Sequence, residues 1–148
     1  MLKYLLFLTT IVFSLHAETY KAVFDCSSHD ASYIKSRMWL IGKTIDMIEK
    51  QGDKADFVLT LHGGCVPIVS RSYDDVVDDE DEEDTKQAQT YLKTLAQKRG
   101  LKVIACAMSL EVNDIEQKEV LPFVKISPNS FIDTIHYQNS GYALMSLK

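Results

Sequence analysis

Gly100-Leu101-Lys102-Val103-Ile104-Ala105-Cys106-Ala107-Met108-Ser109-Leu110 is the stretch on which the reading of this chain turns. A glycine that closes one helical pattern is followed by a short apolar run and then by a cysteine, the outline of a buried β-strand that empties into a turn. Two other stretches share that outline: Ala22-Val23-Phe24-Asp25 runs into Cys26, and Phe57-Val58-Leu59-Thr60-Leu61-His62-Gly63-Gly64 runs into Cys65. If these strands are parallel neighbours in one sheet, their sulfurs lie along the same carboxyl edge, where open α/β folds place ligand and reaction sites. The expectation is one pocket shared by Cys26, Cys65 and Cys106.

Outward from these strands, helix and strand signals alternate. Residues 20–24 read as the first strand. Across Ala31–Lys50 the residues Ile34, Met38, Ile41, Ile45 and Ile48 recur at three- and four-residue spacing, the apolar stripe of a helix that packs on a sheet. Asp30 is its expected N-cap and Gly52 its stop. Residues 57–61 form the second strand, and 66–70 a short helix with Pro67 in its first turn. A helix over 85–99 closes at Gly100, and the third strand covers 101–105. A short helix over 110–119 stops at Leu121-Pro122. The fourth strand is 124–126, a helix capped by Ser130 covers 130–138, and the last strand is 142–147. This alternation predicts an α/β fold, a parallel sheet with helices on both sides. From Glu18 onward the length suits one domain with a single core, and there is no internal repeat or linker.

Residues 1–17 have the build of a secretory signal peptide: the cation Lys3, an apolar run from Tyr4 to Phe13, then Ser14-Leu15-His16-Ala17 with a small residue at the cleavage edge. The run falls short of the ~20 residues of a comfortable membrane span, and the alternative is an uncleaved anchor. The expected location is the periplasm, where disulfides persist, with no membrane association after cleavage. A formal net charge of -5 disfavours nucleic acid and anionic lipid as partners. Nine of the carboxylates fall in the acidic segment 74–84, and without them the chain would stand at +4. Asp78-Asp79-Glu80-Asp81-Glu82-Glu83-Asp84 lacks the glycine of a calcium-binding loop. It reads as a solvated loop whose last carboxylates favour the N-terminus of the next helix, with weak docking of a basic partner as the other reading.

An exported chain with three cysteines raises the question of what each thiol does. A thiolate that attacks a sulfane sulfur or a disulfide forms at neutral pH when its pKa falls from about 8.5 beside a helix N-terminus or a cation. Cys106, with Ser109 available to cap the following helix, and Cys65, two residues before Pro67, both have that opportunity. Cys26 and Cys65 are alternatively a structural disulfide, which leaves Cys106 as the odd thiol. A third reading is a thiolate site for Cu(I) or Zn(II) completed by His29, His62 or Met108, although no CxxC pair is present. A fourth is a structural or regulatory subunit without chemistry. His62 reads as a strand-end histidine bonded to backbone, and Asp25 as a residue able to orient a neighbour. There is no P-loop, GxGxxG, GxSxG or HExxH, and no resident metal or cofactor is expected.

Tyr20-Lys21-Ala22-Val23-Phe24-Asp25, the Leu61-His62-Gly63-Gly64 turn, the Gly100–Leu110 segment, Val120-Leu121-Pro122 and Gly141-Tyr142-Ala143 occur in the order and spacing of a known family. Over residues 18–148 the chain resembles the DsrE/DsrF-like family of small sulfur-handling proteins. The resemblance implies a three-layer α/β/α domain with a five-stranded parallel sheet, assembly into homo-oligomers, and a persulfide on the cysteine that matches Cys106, exchanged with a donor or acceptor protein or a small sulfur compound. The site is then expected at Cys106, Cys65 and Cys26, with His62, Gly63, Gly64, Met108 and Ser109 as auxiliary or binding residues. The leader, the cysteines at 26 and 65 and the acidic insertion are departures from many relatives.

Overall fold

The computed structural model describes residues 17–148, so the expected leader, Ala17 apart, lies outside the described residues. Five strands, β1 (Thr19–Cys26), β2 (Lys54–Leu61), β3 (Lys102–Cys106), β4 (Val124–Ser127) and β5 (Ala143–Leu147), form one sheet in the order β4-β3-β2-β1-β5. Every pairing is parallel. The helices are α1 (Ala31–Lys50), α2 (Glu82–Arg99), α3 (Ala107–Val112) and α4 (Ser130–Asn139), with 3-10 turns at Gly63–Val69, Tyr73–Asp75 and Gln117–Glu119. The expected three-layer α/β/α architecture with a five-stranded parallel sheet is the one observed.

Partnered residues of parallel strands point to the same face, and successive residues to opposite faces. Ala22, Phe24 and Cys26 of β1, Phe57, Leu59 and Leu61 of β2, and Val103 and Ala105 of β3 therefore bury one face against Ile34, Met38, Ile41 and Ile45 of α1 and Leu92 and Leu95 of α2. Phe24 and Phe57 meet edge to face there, 5.2 Å between centroids. The opposite face holds a much smaller apolar cluster, Val23, Val58 and Ile104 against Tyr137 and Tyr142. The ten-residue α4 packs over it, and toward the carboxyl ends of the strands this face turns polar, with Asp25 beside Thr60 and Cys106 beside Ser127.

Asp30 caps α1 as expected, its carboxylate accepting from Tyr33 N–H at 2.8 Å, and Gly100 ends α2 in the left-handed region at φ 70°. Three local expectations are corrected. The acidic segment is not loop to its end: Glu82, Glu83 and Asp84 form the first turn of α2, where carboxylates favour the helix dipole, and Asp84 pairs with Lys35 of α1. The helix expected over 110–119 begins at Ala107 and ends at Val112, because Asp114 turns the chain at φ 54°. Ser109 therefore lies inside α3 and caps nothing; Cys106 itself is the N-cap residue. Ser130 is likewise the first residue of α4, capped instead by Asn129, whose side chain accepts from Phe131 N–H at 2.9 Å.

Gly64 marks a close approach. A Cβ there would sit 2.4 Å from the His29 ring and 2.7 Å from the Ser28 carbonyl oxygen. The exposed ring can swing away, but the backbone oxygen cannot. Gly64→Ala is expected to cost about 1–3 kcal/mol, the range for overpacking, read as a lower urea midpoint with an unchanged slope.

Candidate functional site

The site is assembled where β1, β2 and β3 end beneath the N-terminus of α4. Cys26 is in register with Leu61, and Leu61 with Ala105, so these three share the α1/α2 face. Cys106 is one residue further along β3 and points the other way, toward α4. The single pocket expected for three sulfurs is thus not formed. Cys26 and Cys65 lie on the α1/α2 side, joined as a disulfide with Cα atoms 5.9 Å apart, and both are fully buried. The Gly63–Val69 turn brings Cys65 back over the sheet to reach Cys26. Cys106 is the free thiol, 5% exposed.

Burial alone would push the Cys106 thiol up. It is outweighed by the backbone N–H groups of Ser109 and Ser130, the Ser109 hydroxyl and the Met108 N–H, and the net displacement is downward from the ordinary cysteine value. The thiolate is thus favoured by donors from the start of two helices, α3 and α4. Ser109 is the pivot: its hydroxyl oxygen accepts from Gly63 N–H at 3.0 Å, which leaves its hydrogen free for the sulfur. Asn113 fastens the same corner, its amide donating to Ser109 O at 2.8 Å and Gly63 O at 3.3 Å. A pH profile of iodoacetamide alkylation is expected to rise at a pH below that of an ordinary cysteine. In Ser109→Ala, which removes one donor to the charged form, the rise shifts to higher pH.

His62 follows β2 in extended conformation (φ -147°, ψ 175°), which carries it one step past the Leu61–Ala105 pair to the level of Cys106. Its backbone N–H donates to Cys26 O at 3.0 Å, as expected of a strand-end residue. Its side chain does not bond backbone. The imidazole Nε2 is buried, 3.2 Å from Asp25 Oδ1, at an angle that makes no hydrogen bond. Asp25 Oδ1 accepts from Thr60 Oγ1 at 3.0 Å and is 3.5 Å from Thr134 Oγ1 of α4. Phe131 stands edge-on to the His62 ring, 6.3 Å between centroids. One turn beyond Ser130, Asp133 is buried with Oδ2 unpaired.

Of the residues expected from sequence, the fold brings Cys106, His62, Gly63, Met108 and Ser109 together on the α4 side. Cys26 and Cys65 lie across the sheet, and Gly64 packs against His29. Thr60, Asn113, Ser130, Phe131 and Thr134 escaped sequence reasoning; only Ser130 carried a signal, as a helix start. Among the described residues no three His, Cys, Asp or Glu side chains are grouped to hold a metal. With two sulfurs joined to each other, the three-sulfur set of the thiolate–metal alternative is not assembled.

The family model described as DsrE/DsrF-like matches residues 21–147. The chain belongs to the DsrE/DsrF-like family. An uncharacterized protein of Aquifex aeolicus (strain VF5) is 36% identical over 145 residues, which is 98% of this chain and 63% of that protein. The chain thus spans somewhat under two thirds of that relative. A solved structure from Methanobacterium thermoautotrophicum, titled as a protein of unknown function, has the same fold: TM-score 0.63, 16% identity, over 86% of this chain and 98% of the other. In this DsrE/DsrF-like chain, the segment that carried the resemblance, Gly100–Leu110, is the one that delivers Cys106 to the site.

Proposed function

We propose that the protein is an exported sulfur carrier: Cys106 accepts a sulfane sulfur as a persulfide and passes it to an acceptor thiol. The observation that carries this reading is the position of Cys106, the free cysteine, at the N-cap of α3, where the N–H groups of Ser109, Ser130 and Met108 favour its anion. A persulfide anion needs the same stabilisation as a thiolate, and N–H donors supply it without a fixed cation. Membership of a sulfur-relay type of family supports the chemistry. The buried Cys26–Cys65 disulfide supports the periplasm as its compartment, since such bonds persist where the environment oxidises. In this reading residues 1–17 are the export signal.

Exchange takes place with a donor or acceptor protein or a small sulfur compound. Beside Cys106 the surface is apolar: Met108 is 59% exposed, and Phe131, Ile132 and Ile135 are 65%, 61% and 58% exposed. Exposed apolar side chains of this kind suit contact with another protein, either the exchange partner or another copy in a homo-oligomer. No helix among the described residues is long and apolar enough to cross a membrane.

The test is intact-mass analysis of the protein after exposure to a persulfide donor, with peptide mapping of the adduct. A gain of about 32 Da per sulfur on the Cys106 peptide is expected for persulfidation. An adduct elsewhere, or none, removes the proposal.

A further inference from the structure

We infer that Cys106, His62 and Asp25 act as one unit, in which His62 moves the proton that each sulfur exchange requires and Asp25 orients its ring. This rests on the carrier reading of Cys106 and adds the acid–base partner. Three adjacent strands supply the three residues: Cys106 ends β3, His62 follows β2 and Asp25 lies on β1. Strand order places β2 between the other two, and all three side chains project to the α4 face. Neighbouring strands are ~4.8 Å apart, so an imidazole level with Cys106 stands one strand spacing from its sulfur, while its Nε2 faces Asp25 on the other side. The Ser109 and Asn113 hydrogen bonds to Gly63 fasten the residue after His62 directly to the helix that starts beside Cys106.

The Asp25 end is also defined. Thr60 donates to the same Oδ1 that lies 3.2 Å from His62 Nε2. A small ring rotation turns that contact into an Nε2–H to carboxylate bond and gives the buried, unpaired nitrogen its partner. Nδ1 is then the nitrogen left to exchange a proton at Cys106. A nucleophile, a base and a group that orients the base, set on three adjacent strands, follow the general pattern of assisted nucleophilic catalysis.

The chemistry balances without an oxidant. The Cys106 thiolate attacks the outer sulfur of a persulfide donor, R–S–SH. The Cys106 S–S bond forms as the donor S–S bond breaks, and the departing R–S⁻ takes the proton of the His62 imidazolium and leaves as R–SH. On hand-over, neutral His62 takes the proton of the acceptor thiol as that sulfur attacks the outer sulfur of Cys106–S–SH, and the Cys106 thiolate is regenerated. Each passage exchanges one S–S bond for another.

Two reactions of the same thiol separate this role from a structural one. Sulfur uptake from glutathione persulfide expels a basic thiolate whose departure a proton donor speeds, whereas alkylation by iodoacetamide expels iodide, which takes up no proton. For the purified protein with its disulfide intact, near neutral pH, His62→Ala is expected to slow uptake about 100-fold, the lower range for general acid–base catalysis, and to slow alkylation far less. Added imidazole restores uptake in His62→Ala, and His62→Gln, which keeps the volume filled, shows the same loss. Asp25→Asn slows uptake by a smaller factor. Uptake at the wild-type rate in both His62 variants, an equal slowing of alkylation, or no restoration by imidazole overturns the inference. If the wild-type protein takes up no sulfur on Cys106, the carrier reading itself fails, a result distinct from these.

Discussion

Cys106→Ser takes up no sulfur from a persulfide donor, while the wild-type protein gains mass on the peptide that contains residue 106. The hydroxyl is close to the thiol in size, so the fold is expected to survive, and its unchanged urea midpoint is the control. What is lost is the free thiol on the α4 side: serine has no accessible anion at neutral pH, and the N–H groups of Ser109, Ser130 and Met108 are left without a charge to stabilise. The other two sulfurs cannot substitute, because both are fully buried and bonded to each other on the far face of the sheet. Loss of uptake below detection is the expected result. Uptake that persists in Cys106→Ser would mean that the disulfide opens and one of its sulfurs is the carrier, and the assignment to Cys106 would fall.

The second large effect is on stability. In Cys26→Ala/Cys65→Ala the cross-link between positions 39 residues apart is removed. The loop-closure relation puts that loss at about 4 kcal/mol. Small domains are stable by only about 5–15 kcal/mol in all, so the double variant should unfold at a much lower urea concentration. The bond also has a local consequence. Cys26 directly follows Asp25, and Cys65 stands three residues after His62, so the disulfide fastens from behind the two backbone segments that carry the His62–Asp25 contact. Sulfur uptake in the double variant is therefore expected to slow more than alkylation of Cys106. A urea midpoint equal to that of the wild-type protein would show that the bond adds nothing to the folded state.

Most of the fold was legible because its signals are local. The isoleucine spacing of α1, the Asp30 cap and the Gly100 stop are matters of a few neighbouring residues, and α1 and the five strands came out within a few residues of expectation. The misreadings arose where a local rule had two candidates. Ser109 and Ser130 both look like caps, yet Cys106 and Asn129 hold the cap positions, and the two serines sit inside the first turn, Ser109 three residues past its cap and Ser130 one, where Ser130 N–H and the N–H and hydroxyl of Ser109 serve the sulfur. Thr60 looked like one more residue of a buried strand, and only the β1–β2 register makes it the partner of Asp25.

Sequence alone determined the order of strands and helices, the parallel sheet and the arrival of cysteines at its carboxyl edge, since hydrophobic periodicity and glycine stops act over short range. Only the tertiary structure decided which cysteine is available for chemistry. A one-residue step along a strand reverses the direction of a side chain, and that step sends Cys26 into the α1/α2 core to meet Cys65 while it turns Cys106 toward α4, His62 and the helix N–H groups. Whether a thiol becomes a buried cross-link or a stabilised anion depends on what covers its face of the sheet, and that is supplied by residues far away in the chain.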